Sequence, residues 1–121
     1  MNPVNWFEIP AQDLARAKAF YAHVFDAQFQ HMEMGPAAME MFASEQGAPG
    51  AGGALITTDG YTPSHAGTVV YFSVDDIEGT CSRAAAKGGH ILVPKMSIGE
   101  FGFIAQFEDC EGNRIGLHSM K

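Results

Sequence analysis

The sequence predicts an α+β fold of two consecutive β-α-β-β-β modules. Two observations carry this. Strand-like and helix-like segments follow one another in the same order twice along the chain. Two aspartates placed as helix N-caps, Asp13 and Asp76, stand 63 positions apart at the same point of each run. The chain has 121 residues, which is room for one hydrophobic core and therefore for one domain. The two modules are expected to meet near position 62, with residues 1–62 in the first and 63–121 in the second.

Residues 4–10, Val-Asn-Trp-Phe-Glu-Ile-Pro, read as a short strand that Pro10 ends by removing a backbone donor. Leu14, Ala17, Phe20, Tyr21, Val24 and Phe25 then recur at helical spacing, so an amphipathic helix is expected over 14–25. Strands are expected at 28–34 and 38–44, around Gly35-Pro36. A glycine-rich stretch from Gly47 to Gly53 leads to a fourth strand, Ala54–Thr57. In the second half, Thr68–Val74 is rich in β-branched and aromatic residues and reads as a strand. Ile77, Cys81, Ala84 and Ala85 mark a helix face that Gly88-Gly89 closes. His90–Pro94, Phe101–Glu108 and Arg114–His118 are the remaining strands, the last two joined by the tight connection Asp109–Asn113. A shift of 63 pairs Phe7 with Val70, Ile9 with Phe72 and Leu14 with Ile77. A shift of 62 pairs Gly53-Ala54-Leu55-Ile56 with Ile115-Gly116-Leu117-His118.

Composition excludes several functions. Seven basic against fourteen acidic residues give a net charge of −7, and no basic run relieves it. Nucleic acid and anionic membrane surfaces are therefore unexpected partners. No apolar run approaches the roughly 20 residues needed to span a bilayer. The N-terminus has neither a basic nor an apolar leader region, and Cys81 and Cys110 form no framework, so a reduced cytoplasmic protein is expected. The glycine-rich stretch lacks a phosphate-loop pattern, and no paired histidine spacing offers a local metal site. Fourteen glycines remain as the compositional oddity.

Residues 6–21, Trp-Phe-Glu-Ile-Pro-Ala-Gln-Asp-Leu-Ala-Arg-Ala-Lys-Ala-Phe-Tyr, resemble the opening strand and helix of the vicinal oxygen chelate superfamily. That superfamily includes glyoxalase I, bleomycin-resistance proteins and extradiol dioxygenases. Glu111-Gly112-Asn113-Arg114-Ile115-Gly116-Leu117 resembles its closing hairpin, and Tyr71–Ile77 and Gly102-Phe103-Ile104-Ala105 fit the segments between. The chain is most similar to the branch related to lactoylglutathione lyase. The resemblance implies curled mixed sheets around one open cavity, and often a homodimer that can share cavities between chains. In metal-dependent members the ligands lie on the first and last strands of each module. Those slots fall on Trp6, Val69, Ala54 and Gly116, none of which offers a side-chain ligand, so no metal cofactor is expected. Alanine and glycine there are also expected to leave volume for an organic molecule.

Strand alternation places Glu8 beside Trp6, Tyr71 beside Val69, and Arg114 and His118 on either side of Gly116. Phe7, Ile9, Val70, Phe72, Ile115 and Leu117 then face the helices. Trp6 and Tyr71 can stack on a planar ligand, Arg114 can hold an anionic group, and Glu8 with His118 can form an acid–base pair. Each has a plainer reading: Trp6 as a core aromatic, Glu8 as an ion-pair partner of Arg114 or His118, His118 as a solvated residue near the C-terminus, and Tyr71 as a loop tether. Met32, Met34, Met39 and Met41 fit either an adaptable apolar surface or hairpin packing. The expected function is metal-independent binding of a small molecule. The alternative is a lyase or isomerase that uses Glu8 and His118.

Overall fold

A computed structural model describes residues 2–121. The first module contains β1 (Trp6–Pro10), α1 (Leu14–Phe25), β2 (Phe29–Met34), β3 (Ala37–Phe42) and β4 (Gly52–Thr57). The second contains β5 (Val70–Ser73), α2 (Ile77–Ala86), β6 (His90–Ser97), β7 (Phe103–Glu108) and β8 (Arg114–Ser119), with a 3₁₀ turn at Gly99–Phe101. Each module makes one four-stranded mixed sheet, in the orders β1-β4-β3-β2 and β5-β8-β7-β6. The sheets do not close on one another, so β1 and β5 are both edge strands.

The repeat holds at the level of strand register. Glu8 lies opposite Ala54 in the parallel β1–β4 pair, and Tyr71 lies opposite Gly116 in the parallel β5–β8 pair. These two pairings differ by 71 − 8 = 63 and 116 − 54 = 62, the offsets seen in the sequence. Both helices start as expected. Asp13 accepts the Arg16 N–H at 3.0 Å, and Asp76 accepts the Gly79 N–H at 3.0 Å. They end differently: Asp26 itself takes the left-handed conformation after α1 (φ 53°), whereas Gly88 does so after α2 (φ 99°).

Some boundaries differ from those read in the sequence. β4 begins at Gly52 rather than Ala54, and β5 is trimmed to Val70–Ser73. β6 continues past Pro94 to Ser97, with register shifts on either side of Val93. It tolerates the proline because it is the outer strand of its sheet, where a missing donor breaks no ladder bond on the free side. Phe101 belongs to the 3₁₀ turn and not to β7.

One core serves both modules. Ile9, Leu55, Ile115 and Leu117 point from the sheets onto Ala17, Phe20, Tyr21 and Val24 of α1 and Ile77 and Ala84 of α2. Phe7 and Phe72 meet edge to face at 5.7 Å, and Phe72 stacks on Phe25 at 4.3 Å, so aromatic contacts cross the module boundary. The alternation read from the sequence holds for Phe7, Ile9, Phe72, Ile115 and Leu117; Val70, expected to face the helices, instead lines the surface pockets beside β5.

The connection Asp109–Asn113 locks the second module onto the first. Asp109 is 1% exposed and accepts from the Tyr21 hydroxyl at 2.6 Å and from the backbone N–H groups of Glu111 and Asn113, both at 2.9 Å. The Asn113 amide donates to the Pro10 carbonyl at 2.8 Å. Glu111 Oε1 accepts the N–H groups of Gln12 and Asp13 at 2.8 and 3.0 Å, and its other oxygen takes the Arg16 guanidinium. Burial works to raise the Glu111 pKa, but the Arg16 bond and the two backbone donors overcome it, lowering the group to about 2. Burial, with Asp109 and Glu111 alongside, pushes the Cys110 thiol up to about 12 and leaves it a poor nucleophile. Both cysteines are free.

A second polar link ties α1 to its sheet. Glu40 is buried and accepts from His31 Nδ1 at 2.5 Å, while Lys18 of α1 lies 3.4 Å from its other oxygen. Hydrogen bonds to Glu40 and then to Glu33 raise the His31 pKa.

The cross-module lock sets an acid-side prediction. A carboxyl whose pKa falls on folding stabilises the native state above its ordinary value of 4.5, and that stabilisation is lost as pH falls through about 2. Glu111→Gln is expected to lower unfolding free energy by about 1–3 kcal/mol at pH 7. Urea titrations should find the gap between wild type and variant closing from about pH 4.5 downward. A gap that stays constant across that window would refute the assignment.

Candidate functional site: a groove between the two edge strands

A groove of about 780 Å³ runs between β1 and β5, with the loop before β4 as its rim. Trp6 and Glu8 line it from β1, and Val69, Tyr71 and Ser73 line it from the β5 side. Pro49, Gly50, Ala51 and Gly52 form the rim, so part of the glycine-rich stretch lies where ligands would enter. Phe7, Phe42 and Phe72 also reach the groove as the outer surface of the shared aromatic core.

Glycine sets the local geometry at Gly116 but not at Gly52, where a Cβ would stand 3.5 Å from the Trp6 ring in ordinary contact. A Cβ at Gly116 would fall 2.5 Å from the Tyr71 ring, so Tyr71 lies flat over the glycine opposite it. Sequence reasoning expected Gly116 to leave open volume; the Tyr71 ring fills that volume instead. Ala54 was expected to do the same, but it is 0% exposed, packed with Met39 and Ile56 and flanked by Met32, Ala37 and Met41. The methionines around the β2–β3 hairpin are thus partly the packing that covers this slot.

The candidate residues separate into groups. Trp6, Glu8, Val69 and Tyr71 share the groove. Trp6 and Tyr71 are 44% and 45% exposed, unusually open for residues of this size. Arg114 lines a smaller adjoining pocket of about 120 Å³ that also reaches Glu8. Its guanidinium donates to Gln106 Oε1 at 2.6 Å, and Gln106 in turn donates to the Tyr71 hydroxyl at 2.8 Å. His118 is held elsewhere, its Nε2 donating to the Phe101 carbonyl at 2.7 Å. A carbonyl can only accept, so Nε2 carries the proton. Glu8 instead accepts from the Trp6 indole and the Tyr61 hydroxyl, each at 3.3 Å. Glu8 and His118 thus sit on different sheets with separate partners.

Tyr61 is the groove neighbour that sequence reasoning missed. It stands on the linker between modules, where no periodicity assigns a side chain to a face. Its being the linker's sole aromatic residue was the available signal.

The residues do not fit the metal centre that the resemblance implies. Trp6, Val69, Ala54 and Gly116 occupy its slots, and among the described residues no three His, Cys, Asp or Glu side chains converge on a point where they could hold an ion. Among those residues there is also no helix long and apolar enough to cross a membrane.

Two βαβββ modules with a groove along their first strands define a class of fold, and the comparisons define the family. The chain belongs to the Glyoxalase/Bleomycin resistance protein/Dioxygenase superfamily, whose model matches residues 4–117. A "glyoxylase-like domain-containing protein" from Didymella fabae is 31% identical over 119 residues, 91% of this chain and 88% of that one. Among solved structures, a glyoxylase/bleomycin resistance protein/dioxygenase domain from Frankia sp. EAN1pec superposes with a TM-score of 0.77 at 17% identity, covering 100% and 99% of the two chains. TnmS3, an antibiotic binding protein from Streptomyces sp. CB03234, gives 0.68 at 23% identity, covering 98% and 96%. A glyoxalase I mutant from Zea mays gives 0.73 at 16% identity; the match covers 98% of this chain but 46% of that longer one.

The Tyr71–Gly116 contact makes its own prediction. Gly116→Ala places a methyl inside the Tyr71 ring and should cost about 1–3 kcal/mol. Combining it with Tyr71→Ala should remove most of that penalty, because the colliding ring is gone. Strictly additive losses in a double-mutant cycle would refute the contact.

Proposed function

We propose that this protein binds a small organic molecule in the β1–β5 groove without the superfamily's usual divalent metal. The observation that carries the reading is the exchange of roles at the metal slots. The two slots at the groove hold Trp6 and Val69, which offer contact surface but no ligand atoms. The other two hold Ala54 and Gly116, closed over by methionines and by Tyr71. Open aromatic faces with a few polar groups suit recognition of a flat or apolar ligand. The similarity to TnmS3, described as an antibiotic binding protein, agrees with a sequestering role. A homodimer is part of the same proposal.

A lyase or isomerase acting through Glu8 and His118 is the second reading. We rank it below binding because each of those groups is engaged by other partners in separate parts of the fold.

Four measurements test the proposal. Elemental analysis of protein purified without chelators or added metal should find less than about one tenth of an equivalent of any transition metal. Native mass spectrometry after exposure to a panel of small aromatic compounds should record one-to-one adducts per chain on a dimer. Trp6 is the chain's only tryptophan, so its emission should change as those compounds bind. Trp6→Ala should weaken binding about tenfold. A stoichiometric retained metal, or turnover that Glu8→Gln and His118→Ala each abolish, would overturn the reading.

A further inference from the structure

The charge pattern of the groove narrows the ligand class. Among the described residues, Glu8 is the only charged side chain that lines it. No lysine, arginine or histidine forms an ion pair with Glu8 among the described residues. The nearest candidate by position, Arg114, opens on the adjoining pocket and spends its guanidinium on Gln106. What Glu8 does have is two neutral donors, the Trp6 indole and the Tyr61 hydroxyl, each at the long distance of 3.3 Å. A carboxylate accepts about four hydrogen bonds, so acceptor capacity remains. Two open aromatic side chains touch it, Trp6 and Tyr61, the latter 46% exposed, and Tyr71 lines the same groove from the β5 side.

An unpaired carboxylate beside open aromatic rings is the chemistry that recognises an ammonium group. The carboxylate supplies a charge-assisted hydrogen bond, and the ring faces supply the cation–π attraction. An anionic ligand would meet Glu8 with no cation in the groove to offset it, and the chain's net charge of −7 would oppose its approach. We infer that the groove selects organic cations: molecules with a flat or apolar body that lies along Trp6 and Tyr71 and an amine or quaternary ammonium that reaches Glu8. This rests on the binding reading above and adds the ligand's charge to it.

A matched series of three probes tests the inference by isothermal titration calorimetry: 1-naphthylmethylammonium, 1-naphthylmethanol and 1-naphthoate. They share a ring system and differ in charge. The ammonium is expected to bind about tenfold more tightly than the alcohol, and the carboxylate to bind weakest. Glu8→Gln should bring the ammonium down toward the affinity of the alcohol, a loss several-fold larger than any change in the alcohol's own binding. Glu8 is exposed, so this variant should unfold at the wild-type temperature; if it does not, the wild-type charge series decides alone. Equal affinities across the series, or a preference for naphthoate, would overturn cation selection while leaving small-molecule binding intact. Binding of none of the three would overturn the groove as a binding site and the inference with it.

Discussion

The fold depends on the lock between the closing connection of the second module and the opening strand–helix corner of the first. Asp109 reaches the buried hydroxyl of Tyr21, Asn113 reaches the carbonyl that ends β1, and Glu111 covers the backbone donors that precede α1. Asp109, Asn113 and Tyr21 are buried, and their mutual bonds supply partners that water cannot. The Arg16–Glu111 pair adds charge from the solvent side. The two segments are distant in sequence but are the two halves of one contact.

With that corner fixed, the position of the groove follows. The two modules share a core on their helix-facing sides, where Phe7, Phe25 and Phe72 interleave. Their first strands then lie at neighbouring sheet edges, and neither has a second strand to pair with. The outer faces of β1 and β5 bear Trp6, Glu8 and Tyr71, while their inner faces are anchored in the core. Ligand-facing side chains thus stand on strands whose opposite faces cannot shift without disturbing the packing. At the rim, Gly50 adopts positive φ (93°), and a side chain there would meet open space.

Much of the fold was legible in the sequence because its rules are local. Period-2 and period-3.6 patterns located the elements, and the two cap aspartates fixed the offset between modules, which the strand pairings of the two sheets repeat. Pro94 misled because a proline ends an interior strand but not an outer one, and strand order is not a local property. The site was only half legible for the same reason. Alternation correctly put Trp6, Glu8 and Tyr71 on one side of their strands. It gave no means of seeing that Tyr71 lies down over Gly116, or that methionines from the neighbouring strand close over Ala54. Tyr61 escaped because a linker has no period to read.

The small residues at the metal slots therefore mean something different from empty space. Removing a ligating histidine or glutamate from a strand leaves a hole, and a hole in a packed protein lowers stability unless neighbours fill it. Here the neighbours do fill it at two slots, with an aromatic ring on one sheet and thioethers on the other. The two covered slots lie on the interior strands β4 and β8, and the groove opens along β1 and β5, where the remaining slots carry Trp6 and Val69. A histidine or glutamate at Gly116 would have to displace the Tyr71 ring. One at Ala54, which is wholly buried, would have to displace the packing of Met39 and Ile56.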